Sequence, residues 1–264
     1  MSARLDRRFA DLRAEGRTGL VTYVAAGDPD PPRSLAILEA LDAAGADVLE
    51  VGVPYSDPLA DGPVIQRAYA RSLAAGVTLA STLDLIREGR ERIGAPVILF
   101  TYLNPVLRMG SGEFARAAGE AGVDGVLVLD LPVEESSRLR DALETEGVAP
   151  IFLVSPTTTA ARLEAAARVG RGFLYGITRL GVTGARESVA DGARVLAERV
   201  RGVTALPLAM GFGLSRPEHV REVGRWADAA VVGSALVQLI EDHAEAQDLA
   251  ERAGCFAAWL KEGS

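Results

Sequence analysis

Two carboxylates, Glu50 and Asp61, lie eleven residues apart in a setting where acidic side chains are uncommon. Glu50 lies within the apolar run 47–53, whose alternation places Val48, Glu50 and Gly52 on one face of a strand. A buried, unpaired carboxylate is costly because it loses its hydration, so Glu50 must be paired or have an unusual pKa. The pattern leaves two interpretations open, a structural acid hydrogen-bonded in the core or a group that transfers protons.

Asp61 follows on a loop that contains several glycine and proline residues. Because Gly62 and Pro63 come next, Asp61 on its own favours a helix N-cap or a loop role. Beside Glu50, a second carboxylate in a different environment can stay ionised while the first carries a proton. We therefore predict that the two acids act together on one substrate.

Glycine-rich segments follow the last three apolar runs, at 181–185, 211–213 and 233–235. Glycine lets backbone N–H groups approach an anion closely, and Ser234 opens a segment predicted as a helix, whose N-terminus carries partial positive charge. Each segment alone is compatible with a tight turn. Three of them on neighbouring strands predict a phosphate site.

Further polar side chains fall at strand ends. Tyr175 alternates with apolar neighbours, so it could face either the pocket or the core. Tyr102 and Asn104 are predicted to line the pocket as polar donors. Asp28 is predicted to shape a turn, and Asp130 either binds a ligand or caps the helix that follows it.

Eight short apolar runs alternate with segments of helical periodicity along the chain. The predicted strands are 19–25, 47–53, 96–102, 125–130, 150–154, 172–177, 206–210 and 229–233, and the helices between and after them are 32–43, 79–92, 111–121, 133–146, 160–169, 190–200, 216–223 and 235–260. Strict alternation implies parallel strands, and eight units predict an α/β fold, the (β/α)8 or TIM barrel. A doubly wound open sheet is the alternative.

Leu5, Phe9 and Leu12 recur at helical spacing, which predicts an additional N-terminal helix over 1–17. No linker divides the chain, so residues 1–264 are predicted to form one domain. A net charge of −8 without a local Lys/Arg cluster argues against nucleic-acid or anionic-membrane binding. No signal peptide or membrane-spanning run is apparent, and the single Cys255 cannot form an internal disulfide, so we expect a cytoplasmic protein.

Lysine and histidine are scarce. The single lysine, Lys261, is fourth from the C-terminal end, which excludes a Schiff-base lysine at a strand end. His219 and His243 have no partner ligand at a suitable spacing, so we expect no metal site and no Ser-His-Asp arrangement. By elimination, catalysis is expected to depend on carboxylates, a tyrosine and backbone amides.

The chain resembles the tryptophan synthase alpha subunit family over essentially its whole length. The matching segments are 49–62, 63–66, 74–78, 130–135, 179–185, 211–213 and 232–235. The first is the most specific, and the order of the others on eight strands reinforces it. Departures from the family pattern at Thr22, Ala25 and Leu129 are expected to alter the pocket wall and loop shape while sparing both carboxylates.

The resemblance implies reversible retro-aldol cleavage of indole-3-glycerol phosphate to indole and glyceraldehyde 3-phosphate. It implies that Glu50 is the general acid and base, and that Asp61 accepts the indole N–H and stabilises the positive charge. A lid over 181–186 would carry Thr183, which would bridge to Asp61. The other implied contacts are Tyr175, Tyr102 and Tyr23 to the substrate, and Gly184, Gly213, Gly233 and Ser234 to the phosphate.

The resemblance also implies a partner, the tryptophan synthase beta chain, in an α2β2 complex. Tyr55 and Asp57 would lie on the loop that touches this partner. Pyridoxal phosphate would belong to the beta chain, and this chain would need no cofactor. The alternatives are a stand-alone lyase that releases free indole, a phosphosugar isomerase or flavin-phosphate barrel, and a scaffold without activity.

Overall fold

A closed barrel of eight parallel strands forms the centre of the computed structural model, which describes residues 3–177, 186–211 and 213–264. The strands are β1 (Gly19–Ala25), β2 (Val48–Gly52), β3 (Val97–Thr101), β4 (Gly125–Val128), β5 (Ala149–Val154), β6 (Leu174–Ile177), β7 (Leu208–Gly211) and β8 (Ala229–Val232). Gly19 of β1 is in register with Ala229 of β8, which closes the barrel. The predicted (β/α)8 fold is therefore confirmed, and an open doubly wound sheet is excluded.

Helices surround the strands. They are α1 (Ala3–Glu15), α2 (Pro31–Ala43), α3 (Pro63–Ala74), α4 (Leu79–Gly89), α5 (Leu103–Met109), α6 (Ser111–Ala121), a 3₁₀ turn (Val133–Glu135), α7 (Ser137–Thr145), α8 (Ala160–Val169), α9 (Arg186–Arg201), α10 (Pro217–Val223), α11 (Ser234–Asp242) and α12 (Leu249–Lys261). Among the described residues, no helix is long and apolar enough to cross a membrane.

Two helices, α3 and α5, were missing from the sequence prediction, and the single helix predicted over 235–260 was wrong. Pro63 occupies the first position of α3, where a missing N–H costs nothing, so the segment that follows the loop of Asp61 is helical. The predicted helix 235–260 is divided into α11 and α12, because the polar stretch 243–248 offers no apolar face to bury.

Alternation along the strands separates two sets of side chains. Residues such as Leu49 and Val51 of β2 pack outward against the helices, whereas Val48 of the same strand belongs to the cluster inside the barrel. Helix α1 closes the N-terminal end of that interior, with the ring of Phe9 lying 5.3 Å from that of Phe173. The additional N-terminal helix is thus confirmed, and it packs against the bottom of the barrel.

Aspartates at the N-terminal end of the barrel join neighbouring strand starts in pairs, and two of them, Asp47 and Asp124, are buried. Asp47, before β2, accepts a hydrogen bond from the Leu20 amide of β1 at 2.9 Å, and the guanidinium of Arg17 pairs with it at 2.9 Å. Asp124 binds the amide of Val97 and Asp228 binds that of Leu208 in the same way, at 2.9 and 2.7 Å. Lys261 Nζ lies 4.0 Å from Asp47, so the lysine also belongs to this N-terminal end. In TIM barrels this end usually contributes to stability rather than to catalysis.

Replacing Asp47 with alanine is expected to lower the free energy of unfolding by about 3 kcal/mol, because Arg17 and the Leu20 amide lose a buried partner. Urea unfolding followed by circular dichroism measures this loss. Asp84→Ala is the control, since it removes an exposed partner of Arg87 and should change stability by less than about 0.5 kcal/mol. Equal effects of the two substitutions would contradict the role given to Asp47.

Candidate active site

Glu50 is a buried acid without a cation. Its side chain points from β2 into the barrel and is 1% exposed, and no ion pair of the described residues includes it. Oε2 accepts a hydrogen bond from the Tyr175 hydroxyl at 3.3 Å, while Oε1 has no partner among the described residues. Burial raises the pKa of Glu50 to about 8, although the hydrogen bond from Tyr175 acts in the opposite direction. A structural acid would have both oxygens satisfied, so this geometry favours proton transfer.

Asp61 lies on the loop before α3 and is held by a phenol. Its Oδ2 accepts a hydrogen bond from the Tyr102 hydroxyl at 2.7 Å, and its backbone oxygen accepts one from Gln66 Nε2 at 2.8 Å. Gly62, not Asp61, is the N-cap of α3, so the capping interpretation of Asp61 is excluded. Partial burial raises the pKa of Asp61 above its ordinary value, whereas the hydrogen bond from Tyr102 lowers it.

A cavity of ≈ 170 Å³ opens at the C-terminal end of the strands and collects most of the predicted residues. Its lining comprises Tyr23, Asp61, Ile65, Phe100, Tyr175, Gly211, Gly213, Val231, Gly233 and Ser234. Tyr102 lies behind Asp61, to which it donates its hydrogen bond. The predicted contacts Thr183 and Gly184 fall outside the described residues.

Backbone groups at one side of this cavity can receive an anion. Gly213 has a φ of 75°, a conformation that side chains disfavour, and Gly233 caps α11 without any side-chain hydrogen bond. The first amides of α11, beginning at Ser234, therefore have no side-chain cap and lie at the positive end of the helix dipole.

An ionic network connects the two helices that flank the cavity. Arg71 of α3 binds the carboxylate of Asp28 through two hydrogen bonds of 2.7 and 2.9 Å, and it also pairs with Glu241 of α11 at 2.7 Å. Asp28 was predicted only to shape a turn, but it is a buried partner in this network. The network fixes α3, which follows Asp61, against α11, which begins at Ser234.

Asp130 has a role that the sequence did not indicate. Its Oδ1 accepts a hydrogen bond from the Leu103 amide at 2.7 Å, at the first residue of α5. It therefore caps the helix after β3 rather than the helix after its own strand. Asn104 of the same helix donates a long hydrogen bond of 3.4 Å to the Tyr55 hydroxyl, and so contacts the loop of Tyr55 and is not part of the cavity lining.

Tyr69 of α3 was missed by the sequence analysis. Its buried hydroxyl accepts a hydrogen bond from that of Tyr23 at 2.8 Å. Pro63 at a helix start, followed by Ile65 and Tyr69 four residues apart, was the signal that could have found it.

Together, these groups place a neutral carboxyl, a second carboxylate and an anion site around a cavity lined by both apolar and polar groups. Within residues 3–177, 186–211 and 213–264, no cluster of histidine, cysteine or acidic side chains could hold a metal ion. The arrangement is suited to moving a proton onto and off a largely apolar substrate that ends in an anionic group.

The family model for the tryptophan synthase alpha chain matches residues 9–262. The chain belongs to the tryptophan synthase alpha chain family. It is 48% identical to the tryptophan synthase alpha chain of Solibacter usitatus over 260 residues, covering 98% of this chain and 97% of that protein. It is 51% identical to that of Caulobacter vibrioides over 245 residues, covering 92% and 88%.

Solved structures of the family agree. Tryptophan synthase subunit alpha from Legionella pneumophila superimposes with a TM-score of 0.91 at 35% identity, covering 98% of this chain and 97% of that one. A structure of Mycobacterium tuberculosis tryptophan synthase gives 0.90 at 36% identity, covering 100% and 98%. Membership of this family makes the protein a lyase of tryptophan biosynthesis. The family uses no cofactor in the alpha chain, since pyridoxal phosphate is in the beta chain.

The pH dependence of stability tests the burial of Glu50. Because its folded pKa of about 8 exceeds the ordinary 4.5, its contribution to stability is complete below about pH 4.5 and is lost as pH rises through about 8. We expect Glu50→Gln to lack this loss, so that its free energy of unfolding gains on wild type by up to about 1.4 kcal/mol per pH unit in that range.

Urea titrations at several pH values across this range measure the difference. Glu164→Gln makes the same exchange on an exposed helix position. The difference between its free energy of unfolding and that of wild type should not change with pH. A difference between Glu50→Gln and wild type that does not grow with pH would contradict the raised pKa.

Proposed function

We propose that this chain catalyses the reversible retro-aldol cleavage of indole-3-glycerol phosphate to indole and glyceraldehyde 3-phosphate. The observation that carries this proposal is Glu50, a carboxyl with a pKa of about 8 that faces the interior beside the cavity lined by Asp61. Membership of the tryptophan synthase alpha chain family supports it.

The first step of the proposed reaction is protonation of the indole ring. Glu50 holds its proton at neutral pH and gives it to the ring carbon that carries the side chain. The ring becomes a cation, whose N–H donates a hydrogen bond to the Asp61 carboxylate. Tyr102 orients Asp61 for this contact through its hydrogen bond of 2.7 Å.

The second step breaks the carbon–carbon bond. Glu50, now ionised, takes the proton of the side-chain hydroxyl next to the ring, and that oxygen becomes the aldehyde carbonyl of glyceraldehyde 3-phosphate. The electron pair of the broken bond returns to the ring and restores neutral indole. Glu50 ends the cycle protonated, so no external acid or base is consumed. Tyr175, which donates to Glu50 Oε2 at 3.3 Å, holds the carboxyl in place.

The phosphate of the substrate is proposed to bind at the glycine-rich side of the cavity. Gly213, Gly233 and Ser234 line that side, and the first turn of α11 supplies uncapped amides. Gly184 is proposed to add a further amide, and Thr183 to close over Asp61. Tyr23 and Tyr175 are proposed to contact the body of the substrate.

The proposed partner is a tryptophan synthase beta chain, in an α2β2 complex that passes indole between the subunits. Leu59, on the loop before α3, is 94% exposed. The amide of the next residue, Ala60, donates a hydrogen bond of 3.2 Å to the Tyr102 hydroxyl, and the ring of Tyr102 stacks on that of Tyr55 with centroids 4.7 Å apart. A protein bound at Leu59 would therefore lie next to the residue that holds Asp61.

The match over residues 9–262 supports one TIM-barrel domain across residues 1–264. The proposed role in amino-acid biosynthesis supports a cytoplasmic location.

Indole release from indole-3-glycerol phosphate tests the proposed activity. Wild type is expected to release indole and to do so faster with a beta chain present, whereas Glu50→Gln should fall to background because the amide cannot transfer the proton. Glu164→Gln should match wild type, since it makes the same exchange on an exposed helix. Wild type without any cleavage would refute the proposed function. Strong cleavage that the beta chain leaves unchanged would instead indicate a stand-alone lyase.

Asp61→Asn is expected to lower kcat by about 10²-fold, because the amide no longer stabilises the cationic ring. Tyr102→Phe should lower it less, since the carboxylate remains and only its hydrogen-bond donor is lost. Steady-state rates of indole release compare the two variants. A larger loss from Tyr102→Phe than from Asp61→Asn would contradict the charge-stabilising role of Asp61.

A further inference from the structure

The hydroxyls of Tyr23 and Tyr69 form a buried pair next to the acid. Tyr23 of β1 lines the cavity and is 6% exposed, and Tyr69 of α3 is fully buried behind it. Their oxygens are 2.8 Å apart. Burying two hydroxyls costs free energy that two phenylalanines would not incur, and one hydrogen bond offsets only part of it. The pair therefore calls for an explanation beyond packing.

Counting donors shows that the pair is incomplete. Two phenols have two O–H donors, and one hydrogen bond between them uses only one. Among the described residues neither hydroxyl has a second side-chain or backbone partner. Burial also holds the pKa of both phenols well above its usual value, so both keep their protons. In the structure Tyr23 donates to Tyr69, which leaves the O–H of Tyr69 unused. Because hydroxyl hydrogens rotate, the same contact also forms with Tyr69 as the donor, and the free O–H then belongs to Tyr23, the member that lines the cavity.

Gly52 shows where the Tyr23 hydroxyl lies. A Cβ at Gly52 would overlap that hydroxyl, so the ring of Tyr23 crosses from β1 onto β2 at this glycine. Gly52 is two residues after Glu50 on the same inward face, a separation of about 6.6 Å along a strand. Tyr23 and Glu50 are also register partners in neighbouring strands. The hydroxyl therefore lies beside Gly52, one inward-facing position from Glu50 toward the cavity mouth.

Glu50 has an unused acceptor. Oε1 of Glu50 is buried and has no hydrogen-bond partner among the described residues. Tyr23 and Glu50 are therefore inward-facing register partners on neighbouring strands, one with a hydroxyl that can donate and the other with an oxygen that can accept. One hydroxyl group between them would satisfy both, because it accepts from Tyr23 and donates to Glu50.

We propose that Tyr23, supported by Tyr69, donates a hydrogen bond to the substrate hydroxyl that Glu50 deprotonates. This inference rests on the proposed cleavage reaction. As the hydroxyl proton moves to Glu50 and the carbon–carbon bond breaks, the oxygen gains negative charge before it becomes the carbonyl. The Tyr23 donor stabilises that charge, and Tyr69 is a positioning residue that holds the donor in the required orientation.

Single and double phenylalanine variants test this arrangement in the steady-state cleavage assay. Tyr23→Phe is expected to lower kcat by about 10- to 100-fold with little change in KM, since the interaction strengthens in the transition state. Tyr69→Phe should lower kcat by about 3- to 10-fold, and the double variant should match Tyr23→Phe because the two hydroxyls act as one unit. A purely structural pair would instead lower the thermal midpoint and leave kcat unchanged.

Thr22→Val is the matched control. Thr22 precedes Tyr23 on β1 and was expected in the pocket wall, but it alternates with inward-facing Tyr23 and so points outward from the barrel, as Leu20 and Val24 do. It is buried and its hydroxyl has no hydrogen-bond partner among the described residues, so Thr22→Val should leave kcat at the wild-type value. Gly52→Ala provides a second route, because its methyl group displaces the Tyr23 hydroxyl without deleting it. It should reduce kcat even if a phenylalanine variant fails to fold.

The possible outcomes separate the two proposals. Wild-type cleavage with unchanged kcat in folded Tyr23→Phe, or in folded Gly52→Ala should the phenylalanine variant fail to fold, overturns the hydroxyl contact and leaves the proposed function intact. Additive losses in the double variant overturn the role of Tyr69 as support for Tyr23. Absence of cleavage by wild type overturns the proposed function, and this inference with it.

Discussion

The removal of one carboxyl from water is the constraint on which the site depends, since no cation of the described residues pairs with it. Glu50 and Asp47 belong to the same strand region and are both 1% exposed, yet of the two only Asp47 pairs with an arginine in the part of the chain that the structure describes. An arginine close to Glu50 would favour its ionised form and remove the proton that it holds near neutral pH. The apolar interior around Glu50 is therefore a requirement of this chemistry.

The two ends of the barrel have different roles, because parallel strands all begin at one end and all finish at the other. At the N-terminal end, Asp47 and the equivalent aspartates fix neighbouring strands in register. At the other end, α3 directly follows Asp61 and contributes Tyr69 to the interior. Arg71 then connects α3 to α11, so the positions of the second acid and of the anion site are set together.

Much of this could be predicted from the sequence, because the strands and most helices are encoded by local periodicity. Glu50 could be identified as a candidate because an acid in a buried strand violates that pattern. Asp61 could be identified because it follows Glu50 closely along the chain. The contacts of Asp28, Asp130 and Tyr69 could not be predicted in this way. Each joins elements distant along the chain, and an aspartate after a strand has the same local signature whether it turns the chain, caps its own helix or binds an arginine of another helix.

Gly52 and Tyr23 depend on each other for their positions. Because a Cβ at position 52 would occupy the space of the Tyr23 hydroxyl, any larger residue there makes the ring of Tyr23 move. The present position of the phenol thus requires glycine at 52, whereas a smaller residue at 23 would leave that space open. Transferring this pocket to another barrel therefore means transferring both residues together, although they belong to different strands.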